Sequence, residues 1–123
     1  MIFGIGIDIV EIRELDKGLQ EPGFQTRVFT AAEVDAVERF RNKSEHLAGK
    51  FAAKEAFMKA IGAGLQQGMS FTHVEVLSDD SGKPYLNLNG EAEKRFRERG
   101  AQHIHVSISH SGGLAVAVVI LES

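Results

Sequence analysis

The chain opens on a strict alternation. Between Ile2 and Val10, Ile5, Ile7 and Ile9 hold one parity and Gly4, Gly6 and Asp8 the other, which predicts a β-strand with one apolar face. The opposite face is bare apart from a single carboxylate. Ile12, Leu15 and Leu19 then recur at helical spacing, and Gly18 with Pro22-Gly23 closes that short helix. Thr30 followed by Glu33 is a capping box, so another helix is expected to start there and run through Val34, Val37 and Phe40. Asn42 and Lys43 interrupt the pattern. Ser44 can cap a longer helix from Glu45 to about Ile61, ended by Gly62-Ala63-Gly64.

Downstream the period shortens again. Phe71–Leu77 and Tyr85–Leu88 read as strands, and the turn Asp79-Asp80-Ser81-Gly82-Lys83-Pro84 between them is a hairpin signal. Glu91–Arg99 is a charged helix stopped by Gly100. Ile104–Ser109 alternates once more, with Ile104, Val106 and Ile108 inward and His105, Ser107 and Ser109 outward. Ser111-Gly112-Gly113 turns the chain into a last buried strand, Leu114–Leu121. The pattern is α+β: an antiparallel, mostly hairpin-connected sheet with one long and two or three shorter helices packed on it.

Composition bounds what such a fold can do. A chain of 123 residues is expected to form one domain, residues 1–123, that buries roughly two-thirds of its unfolded surface. That leaves little wall for a deep, self-contained cleft and favours a site shared between subunits. The absence of cysteine removes disulfide scaffolds, zinc ribbons and thiol nucleophiles. The longest apolar run, Leu114–Leu121, falls short of the roughly 20 residues of a membrane span. The first residues carry Asp8 and Glu11 and no leading Lys or Arg, unlike a signal peptide, so a cytoplasmic location is expected. A net charge of −3 argues against nucleic acid as the partner. Yet between Arg39 and Lys59 six basic residues stand against only Glu45 and Glu55, a local +4 that points either to an anionic ligand or to a solvated helix face.

The long helix sharpens that choice. At about 100° per residue, Leu47, Phe51, Phe57, Met58 and Ile61 share a stripe, with Lys54 in its middle and Lys50 near its edge. Glu55 sits at the opposite edge and Lys59 just beyond it. A lysine within an apolar arc must snorkel outward, meet an anion, or pair with a structural carboxylate. Asp8 presents the same alternatives, as a cap for a neighbouring helix or as a ligand. Together Asp8 and Glu55 would supply two hard oxygen ligands of the kind magnesium takes alongside substrate phosphates, with Lys50, Lys54 and Lys59 as point charges. The late strand offers His105, Ser107, Ser109, His110 and Ser111, a narrow polar face that suits a phosphate or a ribose. It lacks the G-x-S-x-G elbow of a hydrolase, and His103 and His105 lack a zinc motif. Neither G-x-x-x-x-G-K-[ST] nor G-x-G-x-x-G occurs, so any nucleotide must be held by side chains and a metal.

Three blocks stand in order along the chain: Gly4-Ile5-Gly6-Ile7-Asp8-Ile9-Val10-Glu11, Phe51-Ala52-Ala53-Lys54-Glu55-Ala56-Phe57-Met58-Lys59-Ala60, and His105-Val106-Ser107-Ile108-Ser109-His110. Their order and spacing resemble those of the small bacterial 4′-phosphopantetheinyl transferases, the holo-[acyl-carrier-protein] synthases, over essentially the whole chain. The resemblance implies the 4′-phosphopantetheinyl transferase-like fold, and magnesium held by Asp8 and Glu55 with the coenzyme A pyrophosphate. It implies phosphate neutralisation by Lys54, Lys59 and Lys50, and His105 against the 3′-phosphoadenosine. Gly62, Gly64 and the Gly82-Lys83-Pro84 turn would line the adenine pocket, and Arg13 would meet an acidic acyl carrier protein. The family resembled is homotrimeric, with each site built across a subunit boundary.

The implied reaction is attack by a carrier serine on the coenzyme A phosphorus bearing the pantetheine arm, with Lys59 assisting and adenosine 3′,5′-bisphosphate leaving. Glu33, Asp35 and Glu55 stand as candidate proton acceptors. The competing class is a non-catalytic module that binds coenzyme A or a carrier through the same basic helix. A serine or metal hydrolase on Ser109 and His110 is a third option.

Overall fold

One helix organises the molecule, and everything else is arranged around it. The computed structural model describes residues 1–123. Along the chain come β1 (Ile2–Glu11), α1 (Ile12–Leu19), α2 (Phe24–Val28), α3 (Ala31–Val37), α4 (Lys43–Ile61), β2 (Val74–Ser78), β3 (Pro84–Leu88), α5 (Gly90–Glu98), β4 (His103–Ser111) and β5 (Leu114–Glu122). The strands form two antiparallel sheets, β1-β5-β4 and the hairpin β2-β3. The larger sheet closes through its ends: β1 pairs with β5, with Ile5 opposite Ile120, Ile7 opposite Val118 and Asp8 opposite Ala117. Local hairpin signals do not foretell that pairing, because it joins opposite ends of the chain. No helix is long and apolar enough to cross a membrane.

α4 lies against the three-stranded sheet at unusually close range, and the bare face of β1 is the reason. A Cβ built on Gly6 would stand 1.8 Å from the Ala56 carbonyl oxygen, and one on Gly4 2.3 Å from that of Ala60. The obstacle is backbone in both cases, so nothing can swing aside. The parity of β1 is as the alternation predicts, but its covering is reversed. The glycine face carries the helix, while Ile5, Ile7 and Ile9 are 63%, 57% and 61% exposed. Ala115, Ala117, Val119 and Leu121 of β5 are buried on the helix side.

Gly6→Ala is therefore expected to destabilise the fold by about 3 kcal/mol or more, since overpacking against rigid backbone has no cheap relaxation. Urea unfolding followed by circular dichroism checks this; a loss under about 1 kcal/mol would show that α4 can shift.

The other face of α4 is covered by α3 and the β2–β3 hairpin, so the helix is buried almost all round, from Leu47 and Ala48 to Phe57 and Ile61. Thr30 caps α3 as expected: its hydroxyl accepts from Glu33 N at 3.2 Å, and the Glu33 carboxylate accepts from Thr30 N at 2.9 Å. α4 begins at Lys43, earlier than the sequence pattern indicates. Ser44 does not cap it; its hydroxyl donates to Asp16 at 2.7 Å and ties α4 to α1. Phe71–His73 forms a 3₁₀ turn, so β2 starts only at Val74.

Candidate active site

Asp8 is the only ionisable side chain on the glycine face of β1, two residues beyond Gly6. There it meets Lys59, whose Nζ donates to Asp8 Oδ1 at 3.0 Å and to the Ile7 carbonyl at 3.0 Å. Glu55 lies one turn earlier on the same helix, half-buried beside the same pair. Burial pushes the Glu55 carboxyl above its usual range, the charge on Asp8 adds to that, and Lys59 opposes it. Two carboxylates that repel one another beside one partly engaged lysine make a pocket of excess negative charge. A small hard cation relieves it, and a donor set of two carboxylates leaves the remaining coordination positions to phosphates and water, as magnesium prefers. The residues fit that ion.

α4 ends on Gly62, in the left-handed conformation at φ 74°. The turn that follows is held by Gly64 N donating to Gln67 Oε1 at 2.7 Å and by Arg95 donating to the Gln67 carbonyl at 3.2 Å. Gly62, Gly64 and Gln67, with Glu55, Lys59 and Phe71, line an open cleft of about 440 Å³.

A second, larger cleft of about 760 Å³ lies between α4, β4 and the β2–β3 hairpin. Arg39, Phe40, His46, Lys50, Gly82, Pro84, Tyr85 and His110 line it. Lys50 is held by a 2.6 Å bond to the Val76 carbonyl, which leaves two of its ammonium hydrogens for a ligand. Burial lowers the Lys50 amine below the usual lysine range, against the pull of Glu33 and Glu75. His110 Nδ1 lies 3.2 Å from Glu45 Oε1, which orients its ring.

The structure thus brings Asp8, Glu55 and Lys59 together and sorts the other expected residues differently. Lys54 is not at either cleft. It is wholly buried, and its Nζ donates to Glu33 Oε1 at 2.8 Å, Phe71 O at 2.9 Å and Val74 O at 2.7 Å. No hydrogen remains for a phosphate, so the structural pairing prevails for this residue. Glu33 is equally committed, with Oε2 accepting from Val76 N at 2.8 Å, and is no free proton acceptor. Asp35 lies on a different cleft, beside Gln25 and Thr72, that shares no residue with Glu55.

His105 lies apart from both clefts within one chain. It projects from the outer face of β4 to Glu122, 3.0 Å away. His110 lines the larger cleft, because it shares the inward parity of Ile104, Val106 and Ile108; a Cβ on Gly49 of α4 would stand 2.8 Å from Ile108 and 3.9 Å from His110. That parity is readable in the sequence. It also separates Ser109 from His110, which point to opposite faces of the strand, so no serine–histidine pair exists there. Gly62 and Gly64 line the smaller cleft while Gly82 and Pro84 line the larger, and Lys83 lines neither. Arg13 is exposed on α1, beside Ile12, Asp16 and Leu114. His46 and Arg39 are cleft residues without any local motif to mark them.

Comparison with known proteins gives these features a family. Residues 4–119 match the model of the 4′-phosphopantetheinyl transferase superfamily. A holo-[acyl-carrier-protein] synthase of Trichlorobacter lovleyi is 46% identical over 125 residues, covering 100% of this chain and 99% of the relative. Among solved structures, the holo-(acyl-carrier-protein) synthase from Bacillus anthracis in complex with CoA (3′,5′-ADP) has a TM-score of 0.82 and 42% identity, covering 100% of this chain and 98% of that one. The synthase from Neisseria meningitidis has a TM-score of 0.89 and 32% identity, with 100% of both chains covered. With Asp8, Glu55 and Lys59 gathered on the glycine face of β1, and with this likeness running end to end, the chain belongs to the 4′-phosphopantetheinyl transferase superfamily, on its holo-[acyl-carrier-protein] synthase branch.

Proposed function

We propose that this chain transfers the 4′-phosphopantetheine arm of coenzyme A to a serine of apo acyl carrier protein in the cytoplasm, releasing adenosine 3′,5′-bisphosphate. The observation that carries the proposal is the Asp8–Glu55 pair beside Lys59, a site for a divalent cation and a phosphate chain. Magnesium, when bound by Asp8 and Glu55, supplies charge neutralisation and polarisation of the pyrophosphate. Lys59 spends two donors on Asp8 and Ile7 and keeps one for a phosphate oxygen. Such a transfer needs positioning and electrostatic stabilisation more than covalent help from the protein. With Glu33 committed to Lys54 and Val76 and Asp35 on another cleft, Glu55 is the remaining carboxylate to accept the serine proton through water. Lys50 and His110 in the larger cleft hold the nucleotide end. Arg13, exposed at the start of α1, meets the acidic carrier.

Three copies would complete the site. The diphosphate cleft and the nucleotide cleft share no lining residue within one chain, so a single coenzyme A is most simply held between two subunits. The surface for assembly is the uncovered sheet face. Ile5, Ile7 and Ile9 stand in register with Ile120, Val118 and Val116 and form an exposed apolar patch of a kind monomers rarely leave open.

Ile7→Lys is expected to convert the trimer to a 13.4 kDa monomer that keeps its helical signal and loses transfer activity. Sedimentation equilibrium with an activity assay checks this; an active monomer would overturn the shared site. The function itself is tested by measuring adenosine 3′,5′-bisphosphate with coenzyme A, apo carrier and magnesium. One molecule released per carrier modified supports transfer. Binding of coenzyme A without release would mark a binding module instead.

A further inference from the structure

The larger cleft contains a residue that neither the transfer chemistry nor the family blocks account for. His46, on the first turn of α4, stacks on Phe40 with ring centroids 3.9 Å apart and planes 23° apart. Its other neighbour is His110, edge-on at 5.9 Å. Two imidazoles therefore share one cleft with the Lys50 ammonium and the Arg39 guanidinium, the latter 4.9 Å from the Phe40 ring centroid.

Resting on the functional reading above, we propose that His46 is a specificity residue for the phosphomonoester of the nucleotide: its ring takes up a proton as a phosphate dianion enters the cleft, so the anion is bound together with that proton.

The charges around His46 explain why the proton waits for the ligand. From α4 itself Lys50 repels a proton and Glu45 attracts it; from β4 His110 and from the segment after α3 Arg39 also repel it. Glu45 is shared with His110 and with the Asn42 side-chain amide. Across the cleft the hairpin contributes Asp79, Asp80 and the Tyr85 hydroxyl. Asp79 is turned back on its own loop, accepting from Ser81 N at 2.9 Å and Lys83 N at 3.0 Å. Glu33 and Glu75 act on Lys50 from behind. Burial is the largest cause that holds the empty-cleft imidazole below the usual histidine range, and this repulsion adds to it. A dianion placed among Lys50, Arg39 and His110 reverses the sign of the local field. Phe40 then offers the new imidazolium its ring face, a favourable cation–π contact. A nucleotide without the phosphomonoester gives the ring no reason to charge.

Calorimetry in buffers of different ionisation enthalpy tests this, with coenzyme A, adenosine 3′,5′-bisphosphate and dephospho-coenzyme A as probes. The pH stays between about 6.5 and 8, above the phosphate's own second ionisation near 6. Uptake of about one proton is expected for the first two probes, with Kd weakening by up to about tenfold per pH unit, and none for dephospho-coenzyme A. His46→Phe keeps an aromatic ring on Phe40 and is expected to remove the uptake and flatten the profile, whereas His103→Gln, at an exposed position on the outer face of β4 and away from both clefts, keeps them. Unchanged uptake in His46→Phe, or equal uptake with dephospho-coenzyme A, overturns the inference. Failure of parent protein to bind coenzyme A at all overturns the functional reading beneath it as well. Thermal melting of both variants confirms that they remain folded.

Discussion

Asp8→Asn and Glu55→Gln are each expected to lower kcat/KM for transfer by about a thousandfold or more while the protein remains folded. Each change removes one charged oxygen ligand and keeps the side chain's shape. What is lost is stabilisation of the charge that develops as the pyrophosphate bond breaks, and removing a single such interaction commonly costs a factor of about 10² to 10³. Losing the cation with it deepens the loss, because a bound metal supplies several kcal/mol in transition states of this kind. Stability is expected to change by less than about 1 kcal/mol, since the Asp8–Lys59 pair has its lysine 55% exposed and solvent screens it. Steady-state kinetics with a thermal melt on the same preparations decide the matter. A folded Asp8→Asn variant that keeps a tenth of parent activity would remove Asp8 from the chemistry.

The second large effect falls on stability. Lys54→Met is expected to cost about 3–5 kcal/mol, enough to leave a typical domain close to unfolding. The Glu33 carboxylate would remain buried with its charge uncompensated, and the carbonyls of Phe71 and Val74 would lose their donor. Burial draws the Lys54 amine below the usual lysine range, and the Glu33 charge and hydrogen bond work against that. The network joins α3, α4 and the start of β2, the three elements that hold the hairpin over the larger cleft. Urea unfolding measures the loss. A phosphate-binding lysine would show the opposite signature, unchanged stability with a raised KM for coenzyme A, and that result would refute the structural role.

These two lysines show how far the pattern of residues could be read. Lys59 and Glu55 were legible because four residues on a helix return to the same face, and because Asp8 interrupts a bare strand face. Lys54 was not, because the stripe argument assumes a helix with one buried side. α4 is covered on both sides, so a lysine amid apolar residues can end at a carboxylate in the interior. The first strand teaches a related lesson. Alternation separates the two faces of β1 but does not say which one its own chain covers. The bare glycine face admits the backbone of α4, and the isoleucines of the apolar face are exposed. The join of β1 to β5 was illegible for a different reason, since sequence pattern carries little information on pairing between distant segments. His105 and His110 differ only in parity, and parity alone decides which of them faces the cleft.

The central claim is that this chain modifies a carrier protein, and the mass of that carrier tests it most directly. Apo acyl carrier protein incubated with the chain, coenzyme A and magnesium is expected to gain one phosphopantetheine arm on a single serine, read by intact-mass and peptide spectrometry. The gain is expected to vanish with a chelator, and to vanish with Asp8→Asn in place of the parent. A carrier whose mass is unchanged, although the chain binds both coenzyme A and carrier, would contradict the account.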